Sequence, residues 1–509
     1  MEKDQSVQEQ IENARDTESN FHAQNHGLDT VDPSEAKRVL RKIDFFLMPL
    51  LMVTFMLQYM DKVILSGAAQ FGIIEDLKLY TVISPPAGHH DPELNLNRFS
   101  NVTLIFYWGC LAGLIPASWL AQRLPVGRYL AGTVVVWGFV ATLSVLCKSY
   151  NGFLVLRFFQ GATECAVAPG FSIVIAMWWN RTEQPLRYAL WYTSTGLGGL
   201  VGSLAIFGIG HIQGSLRPWK YQFLILGAVT VAWGIILVFL LPDHPRSARF
   251  LKPHEREIAV ERMRADHIGI EDKTFKFHQI KDLLTDPKIW ILVPATFCLH
   301  FVNGGVSGFG TVIISSFGYS SLDSVLLTGA VGGGVFVTCI VIGLVGTLKK
   351  DFRTWLIIFG EVTVVIGATM VWKLDWKTQR AGAIVGFVMC GWFAGGYMML
   401  LALVSANIAG HTKKTFASAL IWCAWGVSNG VAPLTVKTTE ESEHYPSCFA
   451  AVIATGAATI AAILGLRVYL VLENKRRDQE HGPVDPVAAL QLAFEDLTDR
   501  ENMQFRYSL

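Results

Sequence analysis

The chain has 509 residues, of which 51% are apolar and only 16% charged, and its formal net charge is +1. A soluble domain carries about 25% charged residues, so one large water-soluble globule is excluded. So near-neutral a chain also offers no electrostatic footprint for nucleic acid. The charges gather in the first 44 residues, in 242–288 and in 473–509. Between them lie apolar runs of about 20 residues, the length that crosses a hydrocarbon core about 30 Å thick. This is the pattern of an all-α membrane protein.

In chain order, residues 1–43 are polar and are expected to form a disordered tail, with a helix beginning near Ser34. No short apolar stretch follows a basic start, so no cleavable signal peptide is expected and the first span serves as the anchor. The spans read as 44–66, 101–122, 128–147, 151–178, 188–211 and 220–241, then 289–313, 322–346, 354–372, 381–405, 415–437 and 447–471. That is 12 transmembrane helices in two six-helix halves, 44–241 and 289–472, joined by a charged linker, 242–288. Lys and Arg cluster at Lys37, Arg38, Arg41 and Lys42, at Lys349, Lys350 and Arg353, and at Lys475, Arg476 and Arg477. These lie on one side if spans alternate, so both tails, 1–43 and 473–509, and the linker are expected in the cytosol.

One loop, one sequon and one linker segment carry further signals. The 79–97 loop holds Pro85-Pro86 and His89-His90-Asp91; a solvated external loop accounts for the histidines better than a metal site does. Asn101-Val102-Thr103 matches a glycosylation sequon but abuts the second span. Residues 255–264 read as a charged, solvated surface helix. The eight cysteines fall singly, with no CxxC pair, and read as packing residues. No HExxH or GxxxxGK[ST] occurs, and the one GxSxG match, 426–430, lies inside an expected span, so no enzyme is indicated.

A charge at bilayer depth costs about 2.5–3.5 kcal/mol on insertion scales, so each one inside a span needs a reason. The first span carries Gln58, Asp61 and Lys62; the fourth carries Arg157, Gln160 and Glu164. Seven residues make about two helical turns, so Arg157 and Glu164 share a face, with Gln160 between them. Such a face can bind an anion and exchange a proton, or it can merely hold helices in register. Asn303 opens an Asn-Gly-Gly run where an unwound helix would expose carbonyls to a cavity. Asn407 and Asn429 either line that cavity or bridge helices. His211 and His300 read as satisfied structural histidines, and Glu361 as structural or interfacial. Gly196, Gly198, Gly199 and Gly202 form a small-residue stripe for close packing.

The run 157–170 (RFFQGATECAVAPG) resembles the fourth-span motif of major facilitator transporters. Six helices, a linker and six more is also the hydropathy of that fold. The pieces AQRLPVGRYLAG, PGFSIVIAMWW, EQPLRYALWY, WKYQFLILGAVTVAWG, FLLPDHPRSARFL and FVNGGVSGFG resemble the fungal allantoate permease family, in the anion:cation symporter branch. The resemblance implies the major facilitator fold. It also implies substrate binding by Lys62 and Arg157 and proton coupling through Glu164 and Asp61. Lysine stands at 62 where the family would place arginine, and a point charge replaces a bidentate fork. Gln122 stands near an aspartate of the wider superfamily, and the fifth span lacks the Gly-Pro signature of drug:proton antiporters.

The expectation is therefore a secondary active transporter, a proton-coupled symporter taking up a small organic anion such as a carboxylate, ureide or vitamin. Substrate binding is expected at Lys62, Arg157, Gln58 and Asn303, and proton coupling at Glu164 and Asp61. No cofactor or metal is expected; the proton gradient supplies the energy. The expected partners are the anion, protons and the bilayer, without nucleic acid, around a monomer in the plasma membrane. The alternative is a transporter of a specialised metabolite or its precursor associated with a biosynthetic pathway, with efflux as one of its two open directions.

Overall fold

The computed structural model describes residues 32–83, 93–180, 183–266, 276–349, 351–482 and 496–509. The proposed tail disorder before residue 32 and the His89-His90-Asp91 run lie outside the described residues.

The first helix, α1 (Pro33–Ala68), is capped by the Asp32 carboxylate, which accepts from the Ser34 amide, and carries Pro33 in its first turn. Both features favour helix initiation. It therefore starts well before the first apolar span. The chain then forms a short antiparallel hairpin, β1 (Thr81–Ile83) with β2 (Glu93–Asn95), with Val82 opposite Leu94. Helices α2 (Asn97–Arg123) and α3 (Val126–Leu143) follow. The fourth span breaks into α4 (Tyr150–Glu164) and α5 (Val167–Trp178), and α6 (Gln184–Gly210) and α7 (Pro218–Leu240) complete the first half.

The linker holds α8 (Pro253–Asp266) and α9 (Phe277–Thr285). The second half comprises α10 (Pro287–Ser316), α11 (Ser321–Leu348), α12 (Arg353–Lys373), the broken pair α13 (Arg380–Cys390) and α14 (Phe393–Asn407), α15 (His411–Val431) and α16 (Pro446–His481). The break between α13 and α14 repeats, in the second half, the break between α4 and α5 in the first.

Among the described residues, ten helical stretches are long and apolar enough to cross a membrane, and α10 makes an eleventh if its two parts, bent by 52°, count as one span. The twelfth expected span, α15, is too polar to pass on composition, since it carries His411, Lys413, Lys414, Ser428 and Asn429. Its polar groups are answered by neighbouring chain rather than by lipid. The Asn303-Gly304-Gly305 run stays helical instead of unwinding; the helix bends just beyond it.

Lipid tails are as apolar as the helices, so packing must come from close contact. The expected glycine stripe supplies it. A Cβ on Gly196 would lie 2.3 Å from the Phe336 amide nitrogen of α11, and one on Gly332 would lie 2.4 Å from that of Leu200. Gly198 and Gly202 meet α1 in the same way. Large apolar side chains such as Phe139, Phe239, Leu344 and Phe359 face outward, where lipid would cover them.

One face of the molecule carries the start of α1, the 496–509 segment and the described parts of the linker, and polar ties order it. Asp44 of α1 pairs with Arg187 at 2.5 Å and accepts from the Trp179 indole at 2.7 Å. Arg262 of α8 pairs with Glu183 at 2.7 Å, and Lys42 pairs with Glu255. The 255–264 segment is thus anchored to the first half and is not merely solvated. The other linker helix, α9, packs on α15.

The final segment, 496–509, wraps the ends of α10, α15 and α16. Asp499 takes the Lys288 ammonium at 2.6 Å and the Lys413 ammonium at 2.8 Å, and Tyr507 donates to it at 2.9 Å. Asp286 also pairs with Lys413, at 2.7 Å. Both lysines and both aspartates are buried. Asn407, expected in a cavity or between helices, instead bonds the backbone of Ser508 through both ends of its amide.

Candidate functional site

Asp61 and Lys62 are consecutive on α1, so their side chains diverge by about 100° and find different partners on α4. The Gln160 amide donates to Asp61 at 2.6 Å, and its oxygen accepts from Arg157 at 3.0 Å. Arg157 therefore reaches Asp61 through Gln160. Lys62 lies 3.2 Å from Glu164. Sequence spacing pairs Arg157 with Glu164 along one helix; the structure instead crosses the pairs between two helices. Gln58 donates to the Glu164 backbone carbonyl at 3.4 Å, holding α1 against the break in the fourth span.

These groups are deeply placed: Asp61 is 4% exposed, Arg157 2% and Glu164 1%. The Lys62 side chain, at 14%, is the most accessible. One oxygen of Glu164, the Gln58 amide oxygen and the Arg157 Nε have no hydrogen-bond partner among the described residues. Two aromatic faces support the cations. The Arg157 guanidinium stands 4.7 Å over Phe106, and the Lys62 ammonium 5.5 Å from the Trp425 ring of the second half. The backbone makes this density possible at Gly161, where a Cβ would lie 2.0 Å from the Phe106 carbonyl.

From the second half, Asn303 donates to Asn429 at 2.6 Å, and Asn429 donates to the Trp425 carbonyl at 2.8 Å. Asn429 therefore bridges α10 and α15. Asn303 also lines a cavity between the halves, with Tyr59, Ser203, Thr328 and Phe393. That cavity adjoins the ion pairs rather than containing them. The charge chemistry identifies the candidate site better than the cavity does.

His211 sits at a helix end, where its ring meets the Phe207 carbonyl at 2.9 Å, a satisfied structural histidine as expected. His300 is not: neither of its ring nitrogens has a hydrogen-bond partner among the described residues. Glu361 is buried on α12 beside Gly456 of α16. The sequence reading missed Tyr397 and Trp425. Aromatic residues in apolar spans look alike until their neighbours are known.

Residues 51–433 match the family model described as Major Facilitator Superfamily. An uncharacterized transporter of Schizosaccharomyces pombe is 33% identical over 94% of this chain and 88% of its own length. The allantoate permease of Saccharomyces cerevisiae is 30% identical over 94% of this chain and 88% of its own. Among solved structures, the xylose transporter XylE from E. coli, in a partially occluded inward-open conformation, superposes with a TM-score of 0.61. The match covers 83% of this chain and 96% of that one at 15% identity, a likeness of fold alone.

Proposed function

The chain belongs to the major facilitator superfamily, beside the fungal allantoate permease, and on that premise we propose that it is a proton-coupled symporter importing a small organic anion. It is a membrane transporter and not an enzyme. The observation that carries the coupling proposal is charge balance. Asp61, Lys62, Arg157 and Glu164 sum to zero within one buried cluster.

A monocarboxylate entering that cluster leaves it one charge negative at bilayer depth, where an uncompensated charge is costly. One proton restores neutrality. Lys62 is the most accessible of the four, so the arriving carboxylate takes its ammonium from Glu164. Glu164, released, takes the proton. Anion and proton then favour each other's binding, which is the thermodynamic condition for symport. Arg157 and Gln58, with Asn303 from the other half, complete the proposed anion site, and Asp61 holds Arg157 through Gln160.

The same proposal puts the face with the linker helices, and both chain ends, in the cytosol, following its Lys and Arg, and makes the protein a plasma-membrane monomer driven by the proton gradient without a cofactor. Labelling of cysteines placed at Ser247 and Lys475 checks the orientation; reaction from outside the cell would reverse it.

The coupling test is Glu164→Gln, which fixes the neutral form. After a radiolabelled carboxylate screen supplies a substrate, the variant is expected to keep counterflow but lose gradient-driven accumulation and most dependence on external pH. Accumulation with an unchanged pH profile would remove Glu164 from the coupling role and leave Asp61 as the candidate.

A further inference from the structure

On the second-half side of the candidate site, two polar side chains are buried together without hydrogen bonds. His300 of α10 is 1% exposed and Tyr397 of α14 is 0% exposed. Neither imidazole nitrogen nor the phenol hydroxyl has a hydrogen-bond partner among the described residues. Their rings meet edge-on, with centroids 4.0 Å apart and planes at 84°. Buried polar groups in folded proteins are nearly always paired, and each exception calls for a reason.

The surroundings supply one. The His300 ring lies 5.5 Å from Phe393 and 6.3 Å from Trp425. The Lys62 ammonium lies 5.5 Å from that same Trp425 ring. One indole thus neighbours both the most accessible cation of the first half and His300 of the orphaned pair. A small molecule held at Lys62 by a carboxylate can lay its far end against His300 and Tyr397.

We infer that His300 and Tyr397 form a polar subsite for the uncharged tail of the transported anion, a planar group that both donates and accepts hydrogen bonds, of the carboxamide class. The match is one of chemistry. A neutral imidazole offers one donor and one acceptor, and a phenol hydroxyl offers both. Flat aromatic walls at Trp425 and Phe393 suit a planar group. A hydrocarbon tail would leave both polar groups unpaired, and a second anion would bring a charge that neither neutral group balances. The assignment rests on the transport reading above, in which Lys62 holds the carboxylate.

The test uses purified full-length protein in detergent and two probes with the same carboxylate and chain length. One is 4-carbamoylbutanoate, and the other is 5-methylhexanoate, whose isopropyl end copies the amide's shape without its hydrogen bonds. Calorimetry is expected to show the amide bound about tenfold more tightly, as a site built for hydrogen bonding discriminates against the analogue lacking them. Tyr397→Phe and His300→Phe should each remove most of that preference and leave the hydrocarbon probe unaffected.

Tyr397→Phe should also melt no lower than the parent, because its hydroxyl has no internal bond to lose. A markedly lower melting temperature would mark a structural role. Equal affinities in the parent, a preference surviving in both variants, or binding of neither probe would overturn the subsite. Lys62→Gln should weaken both probes alike. If it weakens neither while the tail preference behaves as expected, the carboxylate anchor is wrong and the subsite stands.

Discussion

Lys62 and Arg157 are both cations at bilayer depth, and each is tied to a different carboxylate by a different route. Lys62 meets Glu164 directly at 3.2 Å, whereas Arg157 reaches Asp61 through Gln160. Their substitutions should therefore differ. Lys62 is the more accessible, so Lys62→Gln is expected to fold and to lose about tenfold or more in anion affinity, roughly 1.4 kcal/mol. Arg157 is 2% exposed. Removing one member of a buried charged network costs about 3–5 kcal/mol, so Arg157→Gln should reach the membrane at reduced yield as well as transport poorly. Surface expression measured beside uptake separates these effects. Wild-type uptake by both variants would show that the cations only hold helices together.

At the scale of elements, the 496–509 segment acts as part of the second half. Asp499 answers two buried lysines, one from α10 and one from α15. Burial disfavours its charged form, but Lys288 and Lys413 outweigh that and hold its carboxyl below the usual range. A carboxylate shifted down adds stability that is present above its unfolded value, about 3.9, and lost as pH falls through its lower folded value. Limited proteolysis of the segment should therefore stay slow at neutral pH and quicken as pH falls below about 4. Asp499→Asn should quicken it at neutral pH and lower the melting temperature. Cleavage rates that ignore both pH and Asp499→Asn would mean that the ion pairs do not hold the segment.

Across the whole molecule, a set of polar and aromatic contacts joins the halves on the side opposite the linker helices. Ser66 of α1 meets Thr311 of α10 at 3.0 Å, Gln70 donates to Ser315 at 3.2 Å, and Ser100 of α2 donates to the Pro433 carbonyl at 3.2 Å. Phe99 and Phe309 stack edge-on at 5.0 Å on the same side. The Lys62–Glu164 pair lies deeper, beneath this closure. Alternating access requires these contacts to part once per cycle. Cysteines at Ser66 and Thr311, in a background without the eight native ones, should form a disulfide that stops transport, with recovery on reduction. Full transport in the oxidised double variant would show that this side does not open.

The sequence by itself determined that the chain crosses a membrane many times and which family it joins, because apolar run length and ordered local motifs are properties of contiguous residues. It also located the start of α1 near Ser34 and the costly charges on α1 and α4, since a charge in an apolar run is visible without any fold. What only the tertiary structure decided was which group meets which. Helical spacing put Arg157 and Glu164 on one face, but the approach of α1 gave Glu164 to Lys62 and Asp61 to Gln160. Asn407 went to the final segment, and His300 lost the partner that its residue type normally finds. Pairing depends on distances between helices far apart in the chain, and those distances are set by packing, such as the contact of Gly161 with the Phe106 carbonyl, rather than by local pattern.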